Sequence, residues 1–131
     1  MPTASYEKFQ PALELMLEGG NLGTETYALK LATARTLSAG TITETTNGGG
    51  YTTGGVAVTV ASAAQSGGTY TLTLTQPTNP IWTATTGFTF QYVILTGSVS
   101  GNIASWDYGS SQTVAASETV SVTLTTVLTV A

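Results

Sequence analysis

The chain contains no cysteine. Disulfides, thiolate metal sites and a cysteine nucleophile are therefore excluded. It contains no histidine either, which removes the commonest general base and the commonest metal ligand together. A Ser-His-Asp device cannot be built from this chain alone. Charge is scarce: charged residues make up 8% of the sequence, against roughly 25% in ordinary globular domains. The little charge present is unevenly placed. Beyond Glu44 there is no Lys or Arg, and the carboxylates there are Asp107 and Glu118. With three cations and a formal net charge of −4, the chain can neutralise few phosphates, which argues against nucleic acid as a partner. The same shortage argues against anionic membrane surfaces. The N-terminus lacks a basic region, and its short apolar stretch 13–17 is interrupted by Glu14. No apolar run approaches the roughly 20 residues that a spanning helix needs. No N-x-Ser/Thr acceptor is present. The expectation is a protein made and assembled in a cytoplasm, with no nucleic acid, membrane or cofactor.

Threonine is what the chain has in abundance, with 28 among 131 residues. Threonine favours strands and hydrates without charge. Two readings stay open: an ordinary Thr-covered β surface, or a surface whose low charge lets many copies sit side by side without repulsion. The length suits one domain with a core of its own.

The first 20 or so residues differ from the rest. Phe9, Leu13 and Leu17 recur at i, i+4 and i+8 with Met16 beside them, which predicts a helical stripe. Ser5 is a candidate N-cap, Pro11 an alternative first-turn marker, and Gly19-Gly20 a stop. This segment, residues 1–23, either covers one open end of the core or reaches to a neighbouring subunit as an arm. From residue 24 to 131 the period becomes two. Tyr27, Leu29 and Leu31 share one face of a first strand over 26–33, and residues 37–44 are ambiguous. Asn47-Gly48-Gly49-Gly50 reads as a flexible loop with Gly54-Gly55 close behind. Val56, Val58 and Val60 alternate with small residues. Gly67-Gly68 signals a tight turn into 69–75, where Tyr70, Leu72 and Leu74 oppose four threonines. After a break at Pro77–Pro80, residues 88–95 are apolar on both faces towards their end, as in a central strand. A turn over 97–102, a short strand over 103–108, a loop at Gly109-Ser110-Ser111, and one long or two broken terminal strands complete the pattern. About seven short strands with glycine-rich turns predict a mainly β domain, an antiparallel β-sandwich or jelly-roll-like core with a short N-terminal helix.

Candidate chemistry is thin. Asp107 and Glu118 are the late carboxylate pair that a glycosidase would need, but an Asp two residues before a Gly is a turn residue that bonds nearby N–H groups. The glycine clusters lack G-x-x-x-x-G-K-[ST] and do not open a helix. No segment offers closely spaced carboxylates for calcium. Trp82, Trp106, Tyr108 and Tyr51 are candidate sugar-stacking platforms, yet large aromatics serve more often as core or interface anchors. The candidate protein-interface residues are Tyr6, Phe9, Leu13, Tyr51, Trp82, Trp106 and Tyr108; no catalytic, cofactor or metal residues are assigned.

Tyr6-Glu7-Lys8-Phe9, Asn21-Leu22-Gly23, the Gly48-Gly49-Gly50-Tyr51-Thr52-Thr53-Gly54-Gly55 run, Trp82-Thr83-Ala84 and Trp106-Asp107-Tyr108-Gly109-Ser110-Ser111 together resemble a family of small virion structural proteins of tailed bacteriophages. Their order and spacing span nearly the whole chain, and the Trp-Asp-Tyr-Gly-Ser-Ser run is the most specific. The resemblance implies a non-enzymatic capsid decoration (cement) protein on the outer face of the head, clamping neighbouring copies of the major capsid protein and self-associating there as a dimer or trimer. A tail- or fibre-associated protein with receptor or glycan contact is the alternative it leaves, and a cell-surface fibre or adhesin subunit is a third reading from another class. Family members often carry more charge in the C-terminal strand region, where this chain has Ser, Thr and Val.

Overall fold

The computed structural model describes residues 3–10 and 22–130. Ten strands are described: β1 (Ser5–Lys8), β2 (Tyr27–Thr36), β3 (Thr41–Glu44), β4 (Val56–Ser66), β5 (Thr69–Thr75), β6 (Trp82–Thr83), β7 (Phe88–Gly97), β8 (Gly101–Val114), β9 (Thr119–Val120) and β10 (Thr126–Val130). Eight form one curled antiparallel sheet in the order β1-β8-β7-β2-β4-β5-β10, with β3 paired to β2; β6 and β9 form a separate pair. The protein is thus mainly β, as the period-two pattern predicts.

The curl follows from partner exchange along single strands. β4 pairs with β2 through residues 56–58, then with β5 through residues 59–66, with a register shift between Val60 and Ser62. β2 likewise pairs with β4 through residues 27–29 and with β3 through residues 32–36. Bulges let a strand bend from one partner to the next. The sheet wraps one apolar cluster: Leu29 and Leu31 from β2, Leu72 and Leu74 from β5, and Phe90, Ile94 and Leu95 from β7 are all fully buried. Strand β7 lies between β8 and β2 and is buried on both faces over Val93, Ile94 and Leu95, which accounts for its continuous apolar run.

The N-terminal segment departs from the expectation. Ser5, read as a helix cap, begins strand β1, which pairs with β8 in the register Ser5↔Asp107, Tyr6↔Trp106, Glu7↔Ser105, Lys8↔Ala104. The apolar spacing that predicts a helix starts at Phe9, whereas residues 5–8 precede it and pair instead along the edge of the sheet. Phe9 follows directly and is fully buried, its N–H donating to the Ile103 carbonyl at 3.0 Å. The remainder of the predicted helix, including Leu13, lies outside the described residues.

Two loops are also more ordered than their composition indicates. The glycine-rich loop is packed, not flexible. A Cβ on Gly49 (φ +67°) would collide with the Gly87 carbonyl oxygen, and one on Gly55 (φ +72°) with the Leu29 carbonyl oxygen. These glycines are there because backbone meets backbone with no room for a side chain. The Gly109-Ser110-Ser111 stretch is not a loop between strands but a wide bulge inside β8. Phe90 pairs with Gln112 and Tyr92 with Asp107, so Gln91 alone faces residues 108–111. Gly109 adopts φ +81°, and the Gln112 amide donates to the Ser110 carbonyl at 2.9 Å. At the C-terminus, of the two open alternatives the structure has two strands: β9 and β10 are separated by residues 121–125, whose Val122 and Leu124 N–H groups donate to Asn79 Oδ1 (3.2 Å) and Gln76 Oε1 (2.8 Å).

Candidate interaction surface

One of the three cations organises the β1 edge. Arg35 lies in the end of β2 that extends past its pairing with β7 and pairs with β3 alone. Its side chain is only 8% exposed, and its guanidinium pairs with Glu7 of β1 at 2.9 Å and with Asp107 of β8 at 3.3 Å. It also donates to Ser105 Oγ and sits over the Tyr92 ring, 4.6 Å from its centroid. Four strands therefore converge on one planar donor, whose several N–H groups suit several acceptors at once. Burial pushes the Asp107 carboxyl up. The Gly109 N–H at 2.7 Å, the Gln91 amide at 3.1 Å and Arg35 outweigh it and hold the group below the usual aspartate range.

On the register position beside this network, Tyr6 and Trp106 are direct cross-strand partners. Their rings meet edge to face at 5.7 Å, a geometry that aromatic quadrupoles favour. Tyr6 is 47% exposed, while Trp106 and Tyr108 are half-buried. Trp106 and Tyr108, with Ala4, Val93, Val122 and Leu124, line a cavity of about 160 Å³. Tyr108 is held there by the β8 bulge and by an edge-on contact with Phe90 at 5.4 Å. Burial raises the Tyr6 and Tyr108 phenols above the ordinary value. The result is an aromatic edge able to bury apolar area against another surface.

Of the residues picked from sequence, Tyr6, Trp106 and Tyr108 come together at this edge. Phe9, Tyr51 and Trp82 belong to the core; Trp82 is 4% exposed and Tyr51 2%. Neither ring presents a face for sugar stacking. Tyr51 serves the glycine-rich loop instead. Its hydroxyl donates to Glu44 Oε1 at 2.6 Å and accepts from the Leu31 N–H at 3.2 Å, while its ring packs near Trp82 and Phe88. Burial, and then the Glu44 hydrogen bond, drive its phenol far above the usual tyrosine value.

Two polar anchors escaped the sequence reading. One is Arg35; its only advance signal was being the one Arg among three cations in a chain with scarce charge. The other is Glu25, 7% exposed. Its Oε1 accepts from the Val99 N–H (2.8 Å) and Ser100 N–H (2.6 Å), and its Oε2 from Ser100 Oγ (2.8 Å). The carboxylate thus replaces water for the β7–β8 turn, and Val99 is left 51% exposed at its tip. All buried side-chain polar atoms among the described residues have a partner, as a stable core requires. Among the described residues no three Asp or Glu side chains converge as a metal site. No family model, curated protein or solved structure matches the chain.

Proposed function

We propose that the chain is a non-enzymatic decoration (cement) protein of a tailed-bacteriophage head. In this reading it sits on the outer face of the shell, stabilises contacts between major capsid protein subunits, and self-associates there. Assembly takes place in the host cytoplasm, without nucleic acid, membrane or cofactor. The finer architecture that goes with it is a jelly-roll-like sandwich closed by the curl of the large sheet. The observation that carries the reading is the aromatic β1–β8 edge. Tyr6, Trp106 and Tyr108 offer apolar area on a short edge strand, in a chain whose surface is otherwise threonine-rich and nearly uncharged. Interfaces bury aromatic anchors and avoid charge at their centre, and edge strands accept partners readily. The motif resemblance supplies the identity of that partner.

The test is shell stability. Heads assembled from the major capsid protein encoded beside this chain are heated with and without it. Melting raised by the protein, and raised less by Tyr6→Asp, is the expected result. Identical melting curves with saturating protein overturn the cementing role. The tail or fibre alternative has less support, because Trp82, one of its two proposed glycan platforms, is buried.

A further inference from the structure

The two faces of β1 are used differently. Side chains alternate across a strand, so Ser5 and Glu7 lie on one face and Ala4, Tyr6 and Lys8 on the other. On the first face, Glu7 is taken up by Arg35 at 2.9 Å. The second face holds the aromatic edge and continues past it at both ends. Ala4 lines the cavity of about 160 Å³ beside Trp106, Tyr108, Val122 and Leu124. Tyr6 is 47% exposed and meets the Trp106 ring edge to face. Lys8, whose register partner is Ala104, is exposed. Alternate residues of a strand stand about 7 Å apart. A hollow, an aromatic ring and a cation therefore form one row about 14 Å long.

The charge in that row is unanswered within the described fold. Every described carboxylate is engaged elsewhere. Glu7 and Asp107 hold Arg35, and Glu25 accepts from the Val99 and Ser100 N–H groups. Glu44 accepts from the Tyr51 hydroxyl and the Gly54 N–H, and Glu118 from the Ala115 N–H. The Lys8 ammonium has no partner among the described residues. A second copy of the described residues offers it no spare carboxylate, so the counter-charge points to a different molecule. The hollow narrows the choice further. At about 160 Å³ it is smaller than the roughly 300 Å³ at which small-ligand sites begin, yet it has room for one side chain. Ala4, Val93, Val122 and Leu124 beside two aromatic rings suit an apolar one.

We infer that this row receives an extended segment of a partner protein with the pattern apolar-x-apolar-x-acidic, in either chain direction. The first side chain enters the hollow, the second packs on Tyr6 and Trp106, and the carboxylate pairs with Lys8. An extended segment has the same two-residue period as β1, and pockets for alternate side chains are how such segments are told apart. The chain's net charge of −4 does not draw acidic partners from a distance. Lys8 acts at contact, where an opposite charge fixes register and a like charge is rejected. This inference rests on the proposal that the aromatic edge is the attachment surface, and adds the chemistry of what attaches.

The test is an amide-resolved NMR titration of the full chain with the capped peptide Thr-Leu-Thr-Val-Thr-Glu-Thr and its reversed sequence, at millimolar concentration. Analogues with Gln or Lys in place of the Glu are the comparisons. One direction should shift amides of residues 4–8, 104–108 and 122–124 saturably, and its Gln and Lys analogues should bind progressively more weakly. Lys8→Glu should weaken the acidic peptide about tenfold and bind the Lys analogue best, with unchanged melting. Ala4→Phe, which fills the hollow, should remove binding of all three. Three results overturn the inference: neither direction shifts these amides, the Glu and Gln peptides bind alike, or Lys8→Glu keeps the acidic preference. Co-sedimentation with shells separates this inference from the cementing role. Shells that bind Lys8→Glu as they bind the parent overturn the inference and leave the role standing. Shells that bind neither, with the peptide preference intact, overturn the role and leave the inference standing.

Discussion

Leu72 in β5 and Arg35 in β2 are both buried, but the strands around them reach burial by different routes. In β5, Leu72 and Leu74 point into the core while Thr71 and Thr73 point away, and their partner residues on β4 are Ala63, Val60, Ala64 and Ser62. Register there is fixed by the side-chain period alone, since a slip of one residue would expose every leucine. At the β1–β8 edge the second face of the sheet is polar where it is most crowded. Arg35, Ser105, Asp107 and Glu7 meet there, and register is fixed by which carboxylate reaches the guanidinium. The apolar side tolerates loss of any one surface hydroxyl. The ionic side tolerates loss of no central member, because removing one buried charge strands the others.

Arg35→Ala should therefore have the largest effect, destabilising by about 3–5 kcal/mol; chemical denaturation measures it. Leu72→Ala should cost about 2–5 kcal/mol through the cavity it leaves. Unlike Arg35→Ala, it should leave amide protection of residues 5–8 unchanged relative to the rest of the sheet. Asp107→Asn should cost about 1–3 kcal/mol at neutral pH, since hydrogen-bonded partners are left unmatched. Its pH dependence is the sharper check. The folded carboxyl titrates below its unfolded value of about 3.9, so it contributes stability above that value. That contribution is lost as pH falls through the folded one. The parent should lose stability steeply on acidification, and Asp107→Asn should flatten that limb. Thr71→Ala should change stability by about 0.5 kcal/mol or less. Equal effects from Thr71→Ala and Leu72→Ala would break the comparison at its apolar end.

The same contrast decides what was legible in the sequence. The threonine–leucine alternation of 69–75, the face formed by Tyr27, Leu29 and Leu31, and the doubly apolar run before Gly97 are local patterns, and each gave the right strand. Residues 5–8 carry no such pattern; their strand exists because Glu7 and Tyr6 meet Arg35 and Trp106, which lie far away in sequence. Gly109 looked like a turn between strands. It is instead the positive-φ residue of a bulge whose partner, Asp107, was correctly read as bonding a nearby N–H. Gly49 looked flexible because composition does not reveal that the Gly87 backbone lies against it. At the candidate site, Tyr6, Trp106 and Tyr108 were found as aromatic anchors. Phe9, Tyr51 and Trp82 were chosen by the same rule and are core residues, since residue type alone does not separate an interface anchor from a core one.

The proposed role is tested most directly by co-sedimentation of the purified protein with assembled, expanded shells of its major capsid protein. Saturable binding at a fixed ratio to shell subunits, weakened by Tyr6→Asp but not by Thr71→Ala, is the predicted result. Failure to co-sediment at any concentration would contradict it.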